Sequence, residues 1–216
     1  MLVIAYKTIT DHILKKVRKR AMSESDSKRF TDFILSITEI PVEQARQFSA
    51  LVTERQYKKG EFFIREGSSP DMLAFVVKGL FRFFYTNQDG AEFTKGFFSE
   101  RSVLSANDAI LEGKSSYYTI ESLEHSVVEA VSFSEFQLLM NDHPSWDKFL
   151  IALLQKGYLM KVRRERELLL LDAGQRYQSF LEQYPGFEKR VRQHMIASFL
   201  GITPESLSRI RKKRSS

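Results

Sequence analysis

Apolar residues recur at spacings of three and four between Phe30 and Val52: first Phe30, Phe33, Ile34 and Ile37, then Ala45, Phe48, Leu51 and Val52. That is the stripe of amphipathic helices, and Ile40-Pro41 divides it into two short ones. From residue 54 the texture changes. Brief apolar runs at 62–64, 72–77, 80–85, 92–98, 117–123 and 127–133 alternate with turn signals at Lys59-Gly60, Gly67-Ser68-Ser69-Pro70-Asp71, Lys78-Gly79, Asn87 to Gly90 and Glu112-Gly113-Lys114. Strands that short must bury a face against a second sheet, so residues 54–133 are expected to form an antiparallel sandwich or jelly roll. After Ser134 the helical period returns. Phe136, Leu139 and Met140 mark a short helix stopped at Asp142-His143-Pro144, and Trp146, Phe149, Leu150, Leu153, Leu154, Tyr158 and Met160 draw an apolar stripe along a long one. Such a stripe packs either on its own sandwich or on a second copy of the chain. The expectation is a homodimer with Trp146, Phe149, Leu150, Leu153 and Met160 on its seam.

The strongest local signal lies at residues 193–213. Ala197 supplies the small residue that two closely crossing helices need, and Gly201 takes the positive φ of a tight turn at least steric cost. Ile196, Leu200, Ile202, Leu207 and Ile210 fall on the inward faces. Thr203 is a natural N-cap, and Pro204 suits the first helical position, where its missing N–H costs nothing. The pattern predicts helix, tight turn, helix. In that arrangement the second helix enters the major groove with its amino-terminal part at the bases. Glu205, Ser206, Ser208 and Arg209 are therefore the base-reading candidates: Arg209 can donate two bonds to guanine O6 and N7, and Glu205 can accept from cytosine N4. Thr203, Arg211, Lys212, Lys213 and Arg214 are the phosphate candidates, which give affinity without sequence information. Cations at a helix C-terminus also complement the dipole with no ligand at all. The small-residue, glycine and apolar spacing before them favours the nucleic-acid reading.

Charge sharpens the picture, because the net +6 of this 216-residue chain is not spread evenly. Residues 189–216 carry +7 and residues 1–22 carry +5, which leaves −6 for the middle. A local positive field is what draws a polyanion. Residues 1–22 interleave Leu2, Val3, Ile4, Ile9, Ile13, Leu14 and Val17 with basic residues and suit a short amphipathic helix. Their charges follow the apolar stretch, the reverse of a signal peptide, and the segment is expected to be peripheral to function. There is no cysteine, hence no disulfide, thiolate metal site or iron–sulfur cluster, and the cytoplasm is the expected compartment. Of His12, His125, His143 and His194, His125 alone falls within the expected sandwich, too few ligands for a jelly-roll metalloenzyme. No nucleophile triad, phosphate-cradling glycine loop or carboxylate pair stands at informative spacing, so neither a metal nor an enzymatic activity is expected. Lys156, Arg163 and Glu167 interrupt the apolar runs before the ~20 residues of a membrane span.

Three stretches taken in order resemble the Crp-Fnr family of bacterial transcription regulators. Tyr57-Lys-Lys-Gly60-Glu-Phe-Phe-Ile64-Arg-Glu-Gly67 with Phe75-Val-Val-Lys-Gly79 is similar to the opening of a cyclic-nucleotide-binding sandwich. Ser122-Leu-Glu-His-Ser-Val-Val, Ser134-Glu-Phe and His143-Pro144 are similar to its closing strands and the start of the dimer helix, and the helix-turn-helix follows. The resemblance covers most of residues 30–214 and implies an α+β chain. Its parts would be an extension at 1–27, a sensory jelly roll with flanking helices at 28–144, a dimerisation helix at 145–171 and a DNA-binding unit at 172–216. It implies a homodimer on a palindromic double-stranded DNA site, with RNA polymerase as a further partner and no membrane. Glu205 and Arg209 match positions at which members of the family contact bases, whereas Pro204 replaces what is often a basic residue.

The sensory pocket departs from the family pattern. Cyclic-nucleotide binders carry a Gly-Glu pair for the ribose and an Arg-Ser or Arg-Thr pair for the phosphate. Aligned on Gly113, those positions hold Ser105 and Ala106, then Ser116 and Tyr117. A phosphate without its guanidinium loses charge-assisted bonds worth about 1.5–3 kcal/mol each. No cAMP cofactor is therefore expected, and Lys114, Ser115 and Ser116 with Ser105, Ala106 and Tyr117 are what is left to line a pocket. The chain ends at Ser216, which leaves no room for the β-hairpin wing that often follows the recognition helix in the family. A non-DNA signalling module on the same fold is the alternative.

Overall fold

The computed structural model describes residues 29–215. The expected extension at residues 1–27 lies outside the described residues. Two antiparallel four-stranded sheets face each other, ordered β1-β8-β3-β6 and β2-β7-β4-β5. The strands are β1 (Thr53–Tyr57), β2 (Phe62–Ile64), β3 (Met72–Lys78), β4 (Phe81–Thr86), β5 (Glu92–Phe98), β6 (Val103–Leu104), β7 (Thr119–Ser122) and β8 (Ser126–Ser132). This is the jelly roll. The six expected strands are β2 to β5, β7 and β8. The other two escaped because β1 is polar and exposed along most of its length, and β6 is two residues long.

Helices precede, interrupt and follow the sandwich: α1 (Arg29–Leu35), α2 (Val42–Leu51), α3 (Asn107–Glu112), α4 (Phe133–Asp142) and α5 (Ser145–Leu170). A second helical group closes the chain with α6 (Ala173–Gln183), α7 (Phe187–Arg190), α8 (Gln193–Leu200) and α9 (Pro204–Ser215). The continuous apolar run of β3 has a simple cause. Leu73 and Phe75 face a helical core shared with α1, α2, α4 and α5, while Ala74 and Val76 face the sandwich interior, so both sides are dry.

The helical core corrects one expectation. Trp146 and Phe149 are fully buried inside this chain, against Phe136 and, for Trp146, Phe48. The Trp146 indole N–H donates to Gln44 Oε1 at 2.8 Å. Leu153 packs partly against the same core and Leu150 is half-buried, whereas Met160 is exposed. The first turns of α5 thus belong to the sandwich. The exposed apolar positions Ile151, Leu154, Tyr158 and Val162 recur every three or four residues and so share one face of the helix.

One turn of the sandwich is fixed by glycine. Gly79 has φ +110°, and a Cβ there would stand 2.0 Å from Ser126 Oγ. No other residue fits the approach of the β3–β4 turn to β8.

Candidate nucleic-acid interface

Local chemistry explains the shape of α8 and α9. Ala197 is fully buried where the helices cross, and Gly201 ends α8 in the left-handed region at φ 69°, its N–H returning to Ala197 and Ser198 carbonyls. Thr203 Oγ1 accepts the Ser206 N–H at 3.2 Å, the N-cap that the sequence predicts. Ile196, Leu200 and Leu207 are buried, with Ile202 and Ile210 partly so, in a core completed by Tyr177, Phe180, Phe187, Val191, Met195 and Phe199. The helix-turn-helix is formed.

The outward face of α9 carries charge. Glu205 and Arg209, one turn apart, are exposed, as are Lys212, Lys213 and Arg214 further along. Backbone and Thr203 hydrogen bonds, with Arg209 nearby, hold the Glu205 carboxyl below its ordinary pKa, so it is an acceptor at neutral pH. Arg209 Nη2 donates to Ser206 Oγ at 3.3 Å, which leaves other guanidinium donors facing solvent. Ser206 and Ser208 are half-buried, and Thr203 is exposed with its hydroxyl engaged in the cap. Arg211 is different from its neighbours: it is half-buried and pairs with Glu188 at 3.3 Å, beside the Tyr177 hydroxyl that donates to the same carboxylate oxygen. Burial, then that hydrogen bond, push the Tyr177 phenol up to about 12.

Arginines from the preceding helices fix the end of α8. Arg164 of α5 donates to the Phe199 carbonyl and lies over the Phe199 ring. Arg176 of α6 donates to the Leu200 carbonyl at 2.9 Å and the Leu171 carbonyl at 2.6 Å. Between them sits Glu167, buried and accepting from Arg163 at 3.2 Å, Ser179 at 2.6 Å and Gln183 at 2.8 Å. The long helix and α8 are thereby joined through carbonyl groups with no intrahelical donor.

The expected sensory residues flank α3, and Lys114 and Ser116 among them are turned to local partners. Ala106 is fully buried, and the Ser105 hydroxyl is buried without a hydrogen-bond partner. Lys114 pairs with Glu112 at 2.8 Å, Ser115 and Tyr117 are exposed, and Ser116 is buried with its hydroxyl donating to the Tyr118 carbonyl at 2.9 Å. Beside them stand residues that no motif in the sequence singles out. Tyr118 lies 3.9 Å from the Phe83 ring, centre to centre, and donates to Asp108 at 2.7 Å. Lys95, the extra residue of a β-bulge in β5, sets its ammonium 4.3 Å above Phe83 and donates to the Tyr85 hydroxyl at 3.1 Å. An open cleft of about 630 Å³ lies elsewhere, between β1 and β2, lined by residues such as Arg55, Tyr57, Phe62 and Arg65. Among the described residues there is no cluster of His, Cys, Asp or Glu able to hold a metal ion, and no helix is long and apolar enough to cross a membrane.

Comparison with known proteins agrees with this fold. Residues 54–143 match the family model of the cyclic nucleotide-binding domain. A search of curated proteins gives no match. Among solved structures, the chain is similar to CLP, the c-di-GMP responsive global regulator of Xanthomonas campestris, with TM-score 0.66 and 19% identity over 81% of this chain and 92% of that one. FixK2 from Bradyrhizobium japonicum gives TM-score 0.62 and 21% identity over 75% and 83%. A protein from Eubacterium rectale described as a transcriptional regulator of the crp/fnr family gives 0.66 and 16% over 81% and 83%. Residues 54–143 therefore form a domain of the cyclic nucleotide-binding type, set in a chain with the fold of the crp/fnr transcription regulators.

Proposed function

We propose that this protein is a DNA-binding transcription regulator that acts as a homodimer on a two-fold symmetric site in the cytoplasm, meeting RNA polymerase there. One observation carries the reading: a capped, correctly turned helix presents Glu205 and Arg209 to solvent, with Lys212, Lys213 and Arg214 continuing its exposed surface. That combination offers base-edge donors and acceptors beside phosphate-binding charge. The exposed stripe Ile151, Leu154, Tyr158 and Val162 supports pairing, because a second copy of α5 would remove it from water and set two reading helices side by side.

The sandwich does not take cAMP in this reading. The phosphate position has no guanidinium, and Ser116 is buried and already bonded. Selection of bound duplexes from random oligonucleotides tests the proposal, with a palindromic consensus expected. Recovery of no preferred duplex at low salt overturns it. Sedimentation tests the pairing: the parent protein is expected to be a dimer at micromolar concentration and the Tyr158→Glu variant a folded monomer.

A further inference from the structure

The helix-turn-helix is docked on the sandwich as well as hung from α5. Strand β5 is the edge of its sheet, where unpaired backbone groups invite a partner. Ser198 of α8 takes that role: its hydroxyl accepts the Thr94 N–H at 2.9 Å and donates to the Glu92 carbonyl at 3.2 Å. Next along the strand, Phe97 is 3% exposed and inserts among Phe180, Tyr184, Phe187 and Phe199, with ring centres 5.6 to 6.3 Å away. Leu80 and Leu123 of the sandwich share this core.

A charged fork closes the junction. Arg190 donates to both oxygens of Glu100, at 3.1 and 2.9 Å, and to both of Glu124, at 2.6 and 3.3 Å. Glu100 also accepts the Gly79 N–H at 3.0 Å, which ties the fork to the β3–β4 turn. Two carboxylates on one guanidinium repel each other once it is removed.

We infer that the edge of β5 is a fixed mount for the reading helix, and that Arg190 is the positioning residue that holds it there. The inference rests on the DNA-binding reading for its consequence, but the mount itself can be measured without DNA. Glu205 and Arg209 face solvent while the mount is closed, so the docked arrangement is itself competent to meet a groove. With Lys95, Tyr118 and Phe83 packed beside α3, the sandwich serves as a rigid base and the spacing of the two reading helices in a dimer is built in. A head that cannot swing tolerates one half-site separation.

Hydrogen exchange at the Thr94 amide reads the mount directly, because the partner of that amide is Ser198 of the docked helix. Parent protein is expected to protect Thr94, Arg190→Ala to speed its exchange about tenfold or more, and Arg190→Lys and Glu124→Gln to fall between. Fast exchange of Thr94 in the parent, or no change in Arg190→Ala and Glu124→Gln alike, overturns the mount. The second readout is affinity for paired half-sites whose separation is increased by one or two base pairs. The parent is expected to discriminate against the longer sites by about 100-fold and Glu124→Gln by about tenfold or less, a loss of selectivity that a simple loss of stability does not produce. Unchanged discrimination in a variant with faster Thr94 exchange overturns the positioning role. A parent protein that binds no duplex overturns the proposed function, and the Thr94 measurement still decides the mount.

Discussion

The surroundings of α3 and the surface of α9 are both places where such a fold can meet a ligand, and they are built in opposite ways. Around α3 most of the polar groups are spent on the chain itself, Ser116 on the Tyr118 carbonyl, Tyr118 on Asp108, Lys114 on Glu112, Lys95 on the Tyr85 hydroxyl and the Phe83 ring, with the buried Ser105 hydroxyl as the exception. On α9, Glu205, Arg209, Lys213 and Arg214 stand in solvent while the apolar side of the same helix closes the core. Side chains engaged internally stabilise the fold. Charges presented on a rigid, capped helix are what an external polyanion meets. Motif order places both regions, but the destination of each polar group separates a surface open to solvent from one turned to its own chain.

The contrast is broken most forcefully from the side turned to its own chain. Phe83→Ala is expected to cost about 3–5 kcal/mol of unfolding free energy, read by denaturant titration, because its ring carries Tyr118, Tyr85 and Lys95. On the presented side, Arg209→Ala should leave unfolding within about 0.5 kcal/mol and cost about 1–3 kcal/mol on the selected duplex, with little change on random DNA. Lys213→Ala should weaken all duplexes alike and lower the salt slope by about one counterion, measured by titration at several salt concentrations.

Acid gives a smaller effect at the junction between the two regions. Burial opposes ionisation of Glu100, but hydrogen bonds from Arg190 and Gly79 outweigh it and hold the carboxyl below its ordinary 4.5. A depressed carboxylate stabilises the folded state above its unfolded pKa and loses that contribution as pH falls through the folded value. Docking at Thr94 should therefore be constant from neutral pH down to about 4.5 and loosen below it, and Glu100→Gln should remove that acid step. The smallest effect is none: calorimetry at about 100 micromolar cAMP should give no saturable heat.

Much of this was legible in the sequence. The alternation of brief apolar runs pointed to the sandwich, and Ala197, Gly201, Thr203 and Pro204 to the turn between α8 and α9, because those residue types answer local steric demands that spacing records. The stripe on α5 was read less well. Trp146 and Phe149 share their period with Tyr158, and periodicity reports which face is apolar without reporting what covers it. The partners of Phe97, Arg190 and Ser198 were not readable at all, since they join segments about a hundred residues apart. A weak signal existed: β4 and β5 carry Phe84 and Phe97 on the face away from the sandwich interior, which an exposed sheet would not favour.

The polar strand β1 has a consequence for the protein in concentrated solution. Like β5 it is the margin of a sheet, but Thr53, Glu54, Arg55 and Gln56 are exposed among the described residues. Mixed charge is what keeps such a border from recruiting the same strand of a neighbouring molecule and growing into fibres. Exchanging Glu54 and Arg55 for valine would trade that tolerance for cross-β growth, visible as a rise in thioflavin fluorescence while the folded core stays intact.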